Sequence, residues 1–322
     1  GQSAVALGMM IVRWLAVAAA VLLLGALAKR ALRHADPGGG PWRAAMHRLA
    51  EDRAAIVALH VLIALALIAI VAPWLTPYGP NELLDIRTLR SLPPSLAHPF
   101  GTDFASRDVL SRMIYGARIS LSVALLAMTI SLTVGVAYGA LAGFYGGVID
   151  DVMMRVLDAA LSTPRILILM VVLLLWGAPS IMSITLILGL TGWFGVSRLV
   201  RGEVSSAKTG DAITAARALG AGDARLLWRH ILPAVMAPVL VTASLGVGNV
   251  IVLEAGLSLL NVGLRPPTAS WGSIFYDGSD TLLRMWWLTL FPGLAIVATV
   301  TAFNVLGDGL RDALDPRQVV RT

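Results

Sequence analysis

Five long stretches of the chain, 54–81, 119–149, 166–197, 231–253 and 285–307, contain no Asp, Glu, Lys or Arg, and the charges crowd the segments between them. Inside these stretches the apolar residues do not alternate at period two. The pattern predicts lipid-spanning α-helices, whose backbone groups pair within their own segment, and not a barrel. About 20 apolar residues cross a bilayer. Residues 55–75 make one span, closed by Pro73 and the turn-rich "TPYGPN". Residues 119–143 make a second, with Gly135, Gly139 and Gly143 at i, i+4 spacing, where small side chains let helices approach closely. The uncharged run 166–197 must hold two spans, with "GAPS" (177–180) as the turn. Its first helix is then predicted to start near Leu157 and to include Pro164 and Arg165. Its second reaches Val200 and includes Arg198, with both arginines snorkelling to one membrane face. Spans over 234–257 and 286–306 complete the set.

Residues 4–28 are apolar apart from Arg13 and are followed by "KRALR". They predict one extra N-terminal transmembrane helix within 1–35. A signal peptide cleaved after Ala26-Leu27-Ala28 is the alternative, against which stands an n-region that is not basic. The "DPGGGP" at 36–41 reads as flexible, so 36–53 is expected to be a cytoplasmic linker.

Composition turns this helical pattern into a class. The chain is 57% hydrophobic and 14% charged, against about a quarter charged in soluble domains. We read an all-α polytopic membrane protein. The isoelectric point near 10.3 does not indicate nucleic acid, because the positive charges lie in loops. Counting Lys and Arg places 29–53, the loop 201–230 and the C-terminus in the cytoplasm, and the N-terminus, 76–117 and 258–285 outside. Trp271, Phe275, Tyr276, Trp286 and Trp287 suit the external membrane interface.

Candidate chemistry narrows the class further. No Gly-rich stretch precedes a Lys-Ser or Lys-Thr, and the five histidines show no metal-ligand spacing. His60 reads as a packed or helix-bonding residue. An intramembrane enzyme would need a Ser-His, Asp-Asp or metal constellation within the spans, where Glu254 and His60 stand in unrelated settings. A secondary transporter should show broken helices and ionisable groups at the midplane, whereas here the charges cluster at helix ends. Glu254, near the external end of its span, either faces a translocation path or bonds the "RPPTASWG" loop; the loop reading is favoured, because that loop offers many backbone donors.

The loop "TAARALGAGDARLLWRHILPAVMAPV" (214–239) stands out between two apolar runs. Asp211 opens a short helix and Gly220 stops it in a left-handed conformation. A second short helix starts at Asp223 and ends before Pro233. Ala215, Ala216 and Leu219 share one side, a surface suited to a partner's groove; an amphipathic interfacial helix is the plainer alternative.

"AARALGAGDARLLWRHILP" closely resembles the cytoplasmic loop of the membrane subunits of binding-protein-dependent ABC importers. Gly220, Leu232 and Pro233 fall at the family spacing. Thr214 stands where the family often has Glu, and His230 where it often has Ile. "HPFGTDFASRDVLSRMIYGARISLSVALLA" (98–127), "GGVIDDVMMRVLDAALSTPRILIL" (146–169), "EAGLSLLNVGLRPPTASWGSIF" (254–275) and "NVLGDGLRDALDPR" (304–317) resemble the C-type subunit of dipeptide/oligopeptide permeases. Ser106 replaces a common Gly. The resemblance covers about 42–317 and says nothing of 4–28.

It implies a six-helix type I permease core over 54–317, with 318–322 as a tail. It implies half of a heterodimer completed by a second permease, two cytoplasmic ATPases and an external substrate-binding protein, all at a bacterial inner membrane. It implies no catalytic residue, no metal and no cofactor on this chain, ATP and Mg being held by the ATPases. The coupling-loop residues are then Thr214, Ala215, Ala216, Arg217, Leu219, Gly220, Ala221, Asp223, Arg225, His230 and Pro233. The external-loop or pore candidates are Glu254, Ser258, Asn261, Pro266, Pro267 and Trp271. The cargo is expected to be a peptide, with a nickel chelate or another small solute as the alternative.

Overall fold

A computed structural model describes residues 2–34, 41–177 and 179–315. Among them no strand forms beyond an isolated bridge between Thr102 and Asp108. Helix α1 (Gln2–Arg33) is followed by α2 (Pro41–Glu51), α3 (Arg53–Ile70) and the single turn α4 (Ala72–Leu75). The expected flexible linker is therefore helical from Pro41 onward, and residues 36–40 lie outside the described residues. Helix α2 forms because Ala45, Leu49 and Ala50 fall on one face and bury against the bundle. Asp52 then caps α3, its carboxylate accepting from the Ala54 N–H at 2.8 Å.

Helix α1 packs on α3, where Gly25 leaves room for the His60 ring. His60 Nδ1 donates to the Ile56 carbonyl at 2.7 Å, the helix-bonded role expected of it. Arg13 reaches the Trp74 carbonyl at 2.8 Å beyond the end of α3.

After α5 (Ile86–Leu89) comes α6 (Val109–Tyr145). Its 37 residues span about 55 Å at 1.5 Å per residue, well beyond a hydrocarbon core of about 30 Å. The first turns of α6, from Val109, thus overlap the segment 76–117 that was expected to lie outside. The next span is broken. Helices α7 (Gly147–Leu161) and α8 (Arg165–Trp176) meet at a 79° bend. A helix running from Leu157 through Pro164 is not found, because Pro164 has no N–H to give and forces Thr163 out of helical geometry. Arg165 does not snorkel either. Its Nη2 donates to the Leu188 carbonyl at 2.8 Å, two turns inside the next helix. Arg165 still stands at a helix end, the first residue of α8, but the break before α8 brings that end against the middle of the bundle. Arg198 is exposed and pairs with Asp158 at 2.5 Å.

Helix α9 (Ile181–Ala207) starts at a Ser180–Ser183 capping box. Then come α10 (Asp211–Ala218), α11 (Asp223–Arg225), α12 (Leu232–Leu259), α13 (Trp271–Ser279) and α14 (Trp287–Leu314). Among the described residues six helices are long and apolar enough to cross a membrane, or seven with the bent pair. They are α1 and the six core spans α3, α6, α7/α8, α9, α12 and α14.

The closest helix pair is α6 against α9. The glycine row lies on this seam: a Cβ on Gly135 would meet Val196 Cβ at 2.7 Å, one on Gly143 the Arg201 carbonyl at 2.6 Å, and one on Gly139 would strike the Ser197 carbonyl. Backbone cannot yield as a side chain can. Gly139→Leu is expected to cost about 3 kcal/mol by overpacking, read as a lower unfolding midpoint in detergent; an unchanged midpoint would show that the seam is loose.

Candidate functional site

The loop between α9 and α12 is built from backbone anchors. Lys208 ends α9 and its Nζ donates to the Phe144 carbonyl of α6 at 2.6 Å. Gly210 precedes α10, and Ile213 buries the short helix against the body. Gly220 has φ +85°. The Ala221 N–H reaches the Ala216 carbonyl at 3.1 Å and the Gly220 N–H the Arg217 carbonyl at 3.0 Å, closing the helix end as a Schellman motif. The left-handed stop is as expected.

Two expectations change. First, the segment from Asp223 does not stop before Pro233. It continues through a π-helical stretch, Leu226–Ile231, straight into α12. Pro233 lacks an N–H and its ring crowds the preceding carbonyls; the wider turn accommodates both. The chain across Pro233 is therefore one continuous helical rod. Second, Ala216 does not share the outer face. It is half-buried and packs on the chain's own core, as does Ala221. Ala215 is exposed, and Leu219 is 89% exposed. Thr214 bonds back to the Gly210 carbonyl at 3.2 Å. Arg217, Asp223, Arg225 and His230 are all exposed.

At the other end, Glu254 is buried at 2% exposure between three elements. It accepts from Ser270 Oγ at 2.8 Å, from Ser258 Oγ at 3.3 Å and, more weakly, from Ser120 Oγ of α6 at 3.5 Å. Glu254 thus bonds the loop through Ser270, but its donors are serine hydroxyls and not the backbone N–H groups expected. Asn261 sits at φ +57°, and the Val262 N–H reaches the Leu257 carbonyl at 2.9 Å. It terminates α12. Pro266 and Pro267 are exposed and joined by a cis peptide. Trp271 and Trp287 are buried within the chain, Trp271 Nε1 donating to the Met113 carbonyl and Trp287 Nε1 to the Thr102 carbonyl, each at 3.1 Å.

Sequence reasoning missed a buried charge cluster under the external segment. Asp103 Oδ2 accepts from Arg107 Nε at 2.6 Å and from Arg112 Nη1 at 2.7 Å. Arg112 Nη1 also reaches Asp277 of α13 at 2.9 Å. Asp103 and Arg112 are fully buried. Beside them Asp108 caps α6, accepting from the Ser111 N–H at 2.8 Å, and holds His98 Nδ1 at 2.9 Å. Tyr78 leans on the His98 ring, and burial, then the Asp108 charge, push its phenol up. The available signal was Asp-Arg spacing at 103, 107 and 112 within one short segment.

Apolar spans with a capped helical loop between the fourth and fifth core spans define a multi-pass helical membrane protein. Residues 135–320 match the family described as binding-protein-dependent transport system inner membrane component, and 40–94 match the N-terminal TM domain of oligopeptide transport permease C. The chain belongs to this permease family. It is 40% identical over 274 residues to the dipeptide transport system permease protein DppC of Bacillus subtilis (strain 168), covering 85% of each chain. It is 40% identical over 279 residues to the oligopeptide transport system permease protein OppC of the same organism, covering 86% of this chain and 90% of the relative. The DppC of Haemophilus influenzae is 37% identical over 273 residues, 83% and 92% of the two chains. Neither family match reaches α1.

Proposed function

We propose that this chain is one permease subunit of an ATP-driven importer of di- and oligopeptides at a bacterial cytoplasmic membrane. A second permease completes the path, and an external binding protein delivers the peptide. Two cytoplasmic ATPases bind ATP and Mg and carry the catalysis; this chain contributes no catalytic residue, cofactor or metal site. The observation that carries the coupling role is the exposed Ala215–Leu219 face of α10, held by Ile213 and closed by Gly220, on a rod continuous with α12. A push on that face tilts α12 as a rigid lever. Peptide cargo rests on the named cargo of the relatives. In proteoliposomes holding the full complex with its binding protein, a radiolabelled dipeptide or oligopeptide is expected to accumulate only with internal ATP. Accumulation of a nickel chelate with no peptide uptake would overturn the cargo.

A further inference from the structure

Helix α12 runs between α6 and α14, and a strip of it facing lipid should be its most apolar. Yet Asn249 is exposed, and its carboxamide makes no hydrogen bond among the described residues. It lies ten residues from Leu259, the end of α12, or about 15 Å, near the middle of a core about 30 Å thick. An unpaired amide at that depth is costly in hydrocarbon and belongs beside water or protein.

Its neighbours share the pattern. The Ser120–Glu254 contact and the approach of Gly246 to Met128 set the register of α6 on α12. Asn249 is then level with Leu125, between the exposed Ser122 and Thr129. On the other side, a Cβ on Gly248 would meet Val300 at 3.3 Å and Asn304 at 3.7 Å. That places Thr301, exposed, and Asn304, half-buried, at the same depth. Neither side chain is hydrogen-bonded among the described residues. Three adjacent spans thus offer uncharged polar groups at one level. Towards the cytoplasmic loop, α6 and α12 part around an open apolar groove of about 580 Å³.

We propose that Asn249, with Asn304 and Thr301 on one side and Ser122 and Thr129 on the other, lines the watery path along which the peptide crosses. This rests on the permease reading above. A peptide backbone presents N–H and C=O groups whatever its sequence. A carboxamide can both donate and accept, so it can meet either without a charge that would trap one peptide class.

The chain has no cysteine, so single replacements report cleanly. Asn249→Cys and Thr301→Cys are compared with Leu23→Cys on the exposed face of α1, in the complete complex in vesicles. The probe is a charged, membrane-impermeant methanethiosulfonate. Modification of the first two is expected to run roughly tenfold or more above Leu23→Cys, since the thiolate reacts where water reaches it. Rates equal to that of Leu23→Cys would overturn the proposal, placing this strip against lipid or sealed against the second permease. Asn249→Leu is further expected to lower peptide uptake about fivefold, the worth of one lost hydrogen bond, while Asn249→Gln retains it; equal uptake by Leu and Gln variants would also count against the path. Labelling needs no transport. Failure of the importer reading would appear separately, as absent ATP-driven peptide uptake by the complex without replacements.

Discussion

Replacing Leu219 with aspartate is expected to leave the protein folded in the membrane and to abolish ATP-driven uptake. Leu219 stands 89% exposed at the end of α10, one turn beyond the exposed Ala215. The fold has no use for a leucine there: its side chain covers no core, and removing it leaves no cavity. On the proposed coupling role, an ATPase subunit covers it. An apolar anchor in a partner's pocket is worth about 2–4 kcal/mol, and an aspartate forced into the same pocket adds the cost of an unpaired charge. Together these predict a loss of ATPase affinity on the order of a thousandfold. Ala216→Asp separates docking from folding. Ala216 packs on the chain's own core, so its replacement should lower the unfolding midpoint of the isolated permease, which Leu219→Asp should not. The measurement pairs copurification of the ATPases with substrate-stimulated hydrolysis in liposomes. Full hydrolysis and uptake by Leu219→Asp would mean that α10 is an interfacial helix and that the coupling surface lies elsewhere.

The contrast between these neighbouring residues also marks where sequence reasoning reaches its limit. Spans can be read from charge-free runs because lipid imposes one rule on every residue in them. Gly135, Gly139 and Gly143 could be assigned to packing, and Gly220 to a helix stop, because both follow from local geometry. Which face of an eight-residue helix turns outward is decided by a tertiary contact, here the burial of Ile213. Periodicity alone grouped Ala216 with Ala215. The break before Arg165 was missed because the length argument demanded a straight span, whereas Pro164 ended it. The same argument hid a guanidinium bonded at membrane depth to the Leu188 carbonyl. Counting Arg107 and Arg112 as loop charges could not show their burial, since a charge count cannot see a partner at Asp277 that is far away in sequence.

That buried cluster carries the second large effect. Asp103→Asn is expected to cost about 3–5 kcal/mol, because removing one partner of a buried ion pair strands the other. Asp103 holds both Arg107 and Arg112, and without it Arg112 keeps Asp277 at 2.9 Å while Arg107 keeps a contact of 3.7 Å. Arg112 has no reserve, since its Nε and Nη2 are already buried without partners. The damage should spread, because the cluster joins the external segment to the first turns of α6 and to α13. Asp277→Asn should be milder, as Asp103 remains on both arginines. Adding Arg107→Gln to Asp103→Asn should restore part of the loss, because a buried pair replaced by neutral groups of similar shape forfeits attraction and desolvation cost together. The check is the unfolding midpoint of each variant in detergent. The expected order places Asp103→Asn lowest, the double variant above it and Asp277→Asn nearest the parent. A double variant below the single one would show that Arg107 stabilises through packing of its stem, and not through its charge.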